Sequence, residues 1–286
     1  MNVILGVSGR VGSRIVDFLL QKKAPVRGVI RNAGKADELK RIGADVRIAD
    51  YYDLNALKES VKGGSVVFVL TPEPPDSTDI LGDTRKLVEN YRQAVESSQV
   101  KKIIGLSSIG ADLEGDTGNL QMSNILEHGF EGLPVQKIFI RPAYYFSNWL
   151  YSLPVIKENG VLPTFFPPDF KFPMASPIDV AEFISDIIVD DNKDSLIYEI
   201  EGPESYSSAD VAKAFSELLP GKIEIQQIPK ADWKNTLLQS GFTNNVADNF
   251  IKMTETLINS NTSARKDGTT VVKLKTTLKE YLSKSM

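Results

Sequence analysis

The segment VILGVSGRVGSRIVDFLL, residues 3–20, decides the fold. Val3, Ile4 and Leu5 form a short apolar run, and Val11, Ile15, Phe18 and Leu19 recur at helical spacing. Gly6, Gly9 and Gly12 lie between the two patterns and enter the second. The segment reads as strand, tight glycine turn, helix. Such a turn suits an anion, because glycine lets the backbone bend sharply and approach closely, while the N–H groups at a helix start present partial positive charge. The spacing G-x-x-G-x-x-G differs from the commoner G-x-G-x-x-G, and glycine turns also occur for packing alone. The strand before and the amphipathic helix after it carry the argument. They predict a dinucleotide pyrophosphate held by Gly6, Ser8, Gly9, Arg10, Val11 and Gly12.

Outward from this unit the pattern repeats. Apolar strands are expected at 26–30, 45–49, 66–70, 103–106 and 135–140, with helices at about 35–42, 54–61, 80–98 and 120–130 between them. Asp53 stands where a helix cap is needed, and Gly63-Gly64 where that helix stops. The continuous run Val66 to Leu70 suits a parallel strand covered on both faces. Alternation of this kind predicts an α/β fold, a doubly wound parallel sheet with right-handed crossovers. Ligands lie across the carboxyl ends of such strands, so Arg31, Asp50-Tyr51, Thr71-Pro72, Ser107-Ser108 and Arg141-Pro142 are expected to converge with the glycine loop. From Tyr144 the aromatic and proline density rises. A helix at 177–189, a strand at 196–200, a helix over 208–219 capped by Ser207 and a strand at 223–228 follow. Residues 1–150 are read as the dinucleotide-binding domain and 151–286 as a smaller substrate- or partner-facing lobe, interleaved with the last strand of the sheet.

The 286 residues suffice for a substantial core. A net charge of -4 argues against direct nucleic-acid binding. The chain has no cysteine and one histidine, His128, so thiolate chemistry and a His- or Cys-rich metal site are not expected. Neither a signal peptide nor a long apolar run is visible, which predicts a cytoplasmic protein without a membrane segment, as monomer or homodimer.

The cofactor is read from the end of the second strand. A free ribose 2′-hydroxyl is usually met there by a carboxylate, yet this chain has Arg31-Asn32, and Asp37 and Glu38 fall inside the next helix beyond Lys35. A guanidinium suits a 2′-phosphate, which makes NADP(H) the expected cofactor. Arg10 is a second phosphate candidate, with a solvated surface charge as the alternative for both arginines. Asp50 and Tyr51 are placed at the adenine edge, with a plain turn role as the alternative for Asp50. Thr71 and Pro72 complete the cofactor set.

Several of these segments together resemble the NmrA-like branch of the atypical short-chain dehydrogenases. They are the GVSGRVG loop, Arg31, Ala49-Asp50, Thr71-Pro72, Leu106-Ser107-Ser108, Ser123 to Glu127, Ile140 to Tyr144, Ser176 to Ala181 and Gly202-Pro203 to Val211. The resemblance covers nearly the whole chain. It implies a Rossmann-type domain with a smaller α+β C-terminal lobe and an NADP(H) site. Members of that family include reductases of quinones, aromatic ketones and lignans, and dinucleotide sensors that regulate partners.

Ordinary short-chain dehydrogenases use a Tyr with a Lys four residues on, but none of the nine tyrosines here has that partner. Where relatives place His or Lys before the sixth strand, this chain has Ser123 or Asn124. The remaining donors are Ser107, Ser108, Tyr144 and its neighbour Tyr145, with strand-end capping as the alternative for the serines and lid packing for Tyr144, Phe146 and Trp149. His128 is expected at a helix C-terminus, and Glu127 is expected to pair with Arg141. The leading expectation is an NADP(H)-dependent oxidoreductase for a small hydrophobic carbonyl or quinone. The alternative is a non-catalytic NADP(H) sensor acting through a regulatory protein partner, and epimerase or lyase chemistry stands third for want of a tyrosine acid–base.

Overall fold

In the computed structural model, which describes residues 1–190, 192, 194, 196–260 and 268–286, the opening segment folds as β1 (Asn2–Leu5) and α1 (Arg10–Gln21). The first half continues as β2 (Val26–Ile30), α2 (Ala36–Arg41), β3 (Asp45–Ile48), α3 (Leu54–Val61), β4 (Val66–Leu70), α4 (Ile80–Glu96), β5 (Lys102–Leu106), α5 (Leu120–His128) and β6 (Gln136–Pro142). The second half contributes β7 (Tyr144–Tyr145), α6 (Leu153–Asn159), β8 (Val161–Thr164), β9 (Phe172–Ala175), α7 (Pro177–Val189) and β10 (Leu196–Glu201). It ends with β11 (Ser205–Tyr206), α8 (Ser208–Leu218), β12 (Glu224–Gln227), α9 (Trp233–Gln239), α10 (Asn244–Asn259), β13 (Thr269–Lys273) and α11 (Leu278–Ser285). The side chains of Lys35 and Glu38 lie outside the described residues.

Eight strands form one sheet in the order β13-β10-β6-β5-β4-β1-β2-β3, and every pairing in it is parallel. After β3 the chain crosses back to lay β4 on the other side of β1. That reversal is the switch point at which doubly wound sheets open a crevice. α1 and α7 cover one face, where Ile15, Val16 and Leu19 join Val180, Ile184 and Ile187 in one core cluster. α3, α4 and α5 cover the other through Leu57, Val61, Leu87, Tyr91 and Leu126. β1, enclosed by both layers, is buried along its length. Among the described residues no helix is long and apolar enough to cross a membrane.

Two features depart from the expected layout. The sheet takes two strands from the second half, β10 and β13, where one was anticipated. β6 also runs two residues further than expected, through Arg141 and Pro142, which pair with Glu199 and Ile200 of β10. Pro142 fits because its carbonyl accepts from the Ile109 N–H at 3.1 Å and its position needs no donor. The rest of the second half packs around an aromatic core of Phe146, Trp149, Phe166, Phe172, Tyr206 and Phe215, with two small sheets, β11-β9-β7 and β12-β8.

Candidate functional site

The glycine loop sits at the switch point, and its shape needs the residues it has. Gly6 takes φ +69°, and a Cβ there would come within 2.7 Å of the Leu70 side chain. A Cβ on Gly12 would lie 2.4 Å from the Gly6 carbonyl oxygen, so only glycine lets α1 dock this close to the turn. The Gly9 N–H donates to the Gly6 carbonyl at 2.9 Å and closes the turn. α1 has no side-chain cap and no acidic residue in its first turn, which leaves its positive end to an anion. Ser8, Gly9 and Arg10 are exposed, whereas the Val11 side chain belongs to the core.

Tyr51 has a part that spacing did not show. Its hydroxyl accepts from the Gly6 N–H at 2.5 Å and donates to the Val29 carbonyl at 3.1 Å, so it ties the ends of β1 and β2 together from beneath the loop. Burial raises its phenol pKa, opposed by the Gly6 hydrogen bond and by the Arg31 charge, and the hydroxyl keeps the proton it donates. Arg31 is exposed at the end of β2 and acts on the Tyr51 and Tyr52 phenols. Asp50 accepts from the Tyr52 N–H at 3.0 Å, in a turn that leads to the Asp53 cap of α3. Arg31, Asp50 and Tyr51 thus share one corner at the ends of β2 and β3.

Arg10 points elsewhere. Its guanidinium donates to the Ser147 carbonyl at 3.2 Å and lies 4.6 Å from the centre of the Tyr151 ring, bridging the glycine loop to the C-terminal lobe.

The other half of the crevice follows β4 and β5. Thr71 is half-buried and Pro72 exposed at the end of β4. Beyond β5, the Ser107 hydroxyl donates to Glu127 Oε1 at 2.5 Å, and the Ser108 hydroxyl donates to the Ile109 carbonyl at 3.1 Å. Glu127 binds Arg141 through two bonds of 2.8 and 2.7 Å, the pairing anticipated from sequence. Arg141 is 4% exposed, with Asp112 at 3.5 Å and Glu199 at 3.6 Å. The extension of β6 carries Arg141 into this buried network beneath the crevice, away from its mouth. Tyr144 packs between Trp149, Phe166 and Phe172 at ring distances of 5.4 to 5.7 Å. Burial raises its phenol pKa, against a hydrogen bond from Asn148. The neighbouring Tyr145 hydroxyl is buried without a partner among the described residues. Asn124 donates to the Ala111 carbonyl at 2.9 Å, and His128 ends α5, its ring Nδ1 2.8 Å from the Asn124 carbonyl.

One acidic residue escaped the sequence reading. Glu73, in the proline-rich loop after β4, accepts from Asn119 Nδ2 at 3.0 Å. A carboxylate just past a strand end is the signal that marks it.

The profile of the NmrA-like family matches residues 2–282. The chain belongs to this family. It is similar to the NAD(P)H azoreductase of Xenophilus azovorans, 25% identical over 87% of this chain and 84% of that protein. It is also similar to quinone oxidoreductase 2 of Escherichia coli, 24% identical over 87% of this chain and 85% of that protein. Among solved structures, the Citrobacter sp. triphenylmethane reductase complexed with NADP(H) superposes with a TM-score of 0.82 at 17% identity, covering 100% of this chain and 99% of that one. This NmrA-like chain, built on an eight-stranded parallel sheet, thus shares its α/β fold with a reductase crystallised with its dinucleotide.

Proposed function

We propose that this NmrA-like chain is an NADP(H)-dependent oxidoreductase that reduces a small hydrophobic carbonyl or quinone. The observation that carries the reading is the uncapped positive end of α1, set against the glycine loop at the switch point with Arg31 at the end of the adjacent strand. These residues fit the dinucleotide. Gly6, Ser8, Gly9, Val11 and Gly12 supply the loop and helix start for the pyrophosphate, Arg31 takes the 2′-phosphate, Asp50 borders the adenosine, and Thr71 and Pro72 flank the far half. Tyr51 braces the loop from below. Bound there, the reduced nicotinamide supplies a hydride. The azoreductase and quinone reductase names of its relatives support this class of reaction.

The protein itself offers little general acid at the serines and tyrosine first considered. Ser107 is engaged by Glu127, Ser108 by a backbone carbonyl, and Tyr144 is held in the lobe core, with its pKa raised by burial. The same observation supports a second reading, an NADP(H) sensor that acts through a protein partner. Recovery of a partner that depends on NADPH, without oxidation of NADPH by any quinone or aldehyde, decides for the sensor.

Fluorescence titration with NADPH and NADH tests the cofactor assignment. NADPH binds the wild type more tightly, and Arg31→Ala weakens NADPH by about tenfold or more while leaving NADH nearly unchanged, since a charge-assisted bond contributes ~1.5–3 kcal/mol. Equal affinities in the wild type overturn it.

A further inference from the structure

We propose that Glu73 is the proton donor to the reduced substrate and that Asn119 positions it, an inference that rests on the reductase reading above. Glu73 is the third residue past β4. With the pyrophosphate at the glycine loop and the phosphorylated ribose at Arg31, the reacting ring is left the side of the crevice where β4, β5 and β6 end. Glu73 stands on that side. Its Oε2 accepts from Asn119 Nδ2 at 3.0 Å. Asn119, directly before α5, is 4% exposed, and its own Oδ1 is buried with no hydrogen-bond partner among the described residues. Buried amide oxygens are rarely left unpaired, so Asn119 keeps an unused acceptor directly beside the Glu73 carboxyl.

The C-terminal lobe closes this corner. The Asn119 N–H donates to the Asn249 carbonyl at 3.2 Å, the Ile80 N–H donates to Asn245 Oδ1 at 2.9 Å, and Thr243 bonds the Ser77 carbonyl. Pockets favour such seams between a nucleotide domain and a covering lobe. Glu73 remains exposed on its open side, while the protein around it raises its carboxyl pKa, burial outweighing the Asn119 hydrogen bond. The elements packed here also carry Asp79, which caps α4, Asp83, bonded by Ser77, and the Asp116–Lys252 pair between the loop before α5 and α10.

The step balances. A quinone gains one hydride, delivered with the bound dinucleotide, and negative charge collects on a quinone oxygen. The O–H bond of Glu73 breaks as a new O–H bond forms at that oxygen, giving the hydroquinone and the Glu73 carboxylate. Solvent then returns a proton to Glu73.

Glu73→Gln keeps an acceptor for Asn119 and so preserves the local structure. NADPH binding is first followed by calorimetry in buffers of different ionisation enthalpy. The wild type takes up protons as the carboxyl is covered, and Glu73→Gln takes up fewer. In turnover with NADPH and a quinone, wild-type kcat is full while Glu73 is protonated and falls as pH rises through its pKa. Glu73→Gln is slower by on the order of 10²-fold and loses this limb, while binding NADPH no less tightly than the wild type. Asn119→Ala moves the limb to higher pH, because the hydrogen bond favouring the ionised form is gone. Equal proton uptake, or turnover by Glu73→Gln within threefold of wild type on the same pH profile, overturns the proposal alone. A wild type that binds NADPH but reduces no acceptor overturns the reductase reading and this proposal with it.

Discussion

The Tyr51 hydroxyl lies 2.5 Å from the Gly6 nitrogen, bonded across the 45 residues that separate them. The glycine turn is thus braced from the end of β3, and one of its N–H groups is turned inward. The outward N–H groups of the loop and helix start are those left to an anion. Tyr51→Phe removes the acceptor for Gly6 and the donor to Val29 together. The expected cost is about 1–3 kcal/mol of stability, with NADPH binding weakened, read by denaturant unfolding and fluorescence titration. An unchanged unfolding midpoint and dissociation constant would show the brace to be idle.

The three glycines of the motif are not equivalent. Gly12→Ala sets a Cβ 2.4 Å from the Gly6 carbonyl oxygen and 2.8 Å from its carbon, backbone atoms that yield only if α1 moves. Gly9 has φ -86°, and a Cβ there meets only the Gly6 oxygen, at 3.2 Å. Gly12→Ala should lose about 1–3 kcal/mol of stability and most of the NADPH affinity, and Gly9→Ala clearly less of both. Thermal unfolding and titration of the two variants in parallel test the order.

The buried pair of Glu127 and Arg141 predicts an asymmetry. Arg141→Met leaves Glu127, Asp112 and Glu199 without their shared cation, and removing one partner of a buried pair costs about 3–5 kcal/mol. Glu127→Gln leaves Arg141 two carboxylates and costs less. The pH dependence has a definite sign. Burial already raises the Glu199 pKa, against the Arg141 charge, so without Arg141 the folded-state pKa rises further above the unfolded value. The resulting destabilisation is full above the folded pKa and disappears as pH falls to the unfolded value of about 4.3. The stability gap between Arg141→Met and wild type should therefore narrow on acidification in urea unfolding series, and a gap independent of pH would contradict the assignment.

The parts of this molecule legible in its sequence are those determined by neighbours along the chain. The strand-turn-helix at residues 3–20, the Asp53 cap and the Ser207 cap, completed by Asp210 in a reciprocal box, all follow from local periodicity and capping chemistry. Contacts across the chain were less visible. Tyr51 reads as an adenine-side residue until Gly6 is seen above its hydroxyl, and Arg141 as a crevice residue until β10 prolongs β6 past it. The Glu127 pairing was accessible from sequence, but its capture of the Ser107 hydroxyl depended on side-chain direction. Glu73 gains its meaning only from Asn119, 46 residues away on another element.

Arg10 shows how a phosphate candidate is diverted. Its guanidinium joins the Ser147 carbonyl and the ring of Tyr151, itself 72% exposed, so a residue of the nucleotide loop is spent on holding the lobe. A cation–π contact at so open a position contributes about 0.5–1 kcal/mol. Tyr151→Ala should lose about that much, Arg10→Ala more because it also gives up the Ser147 bond, and the double variant scarcely more than Arg10→Ala alone. NADPH titration separates the two roles. As a lobe contact, Arg10 gives Arg10→Ala and Tyr151→Ala small effects on affinity, within a few-fold of each other. As a phosphate ligand, it makes Arg10→Ala weaken NADPH about tenfold more than Tyr151→Ala does, because only the first loses a charge-assisted bond to the nucleotide.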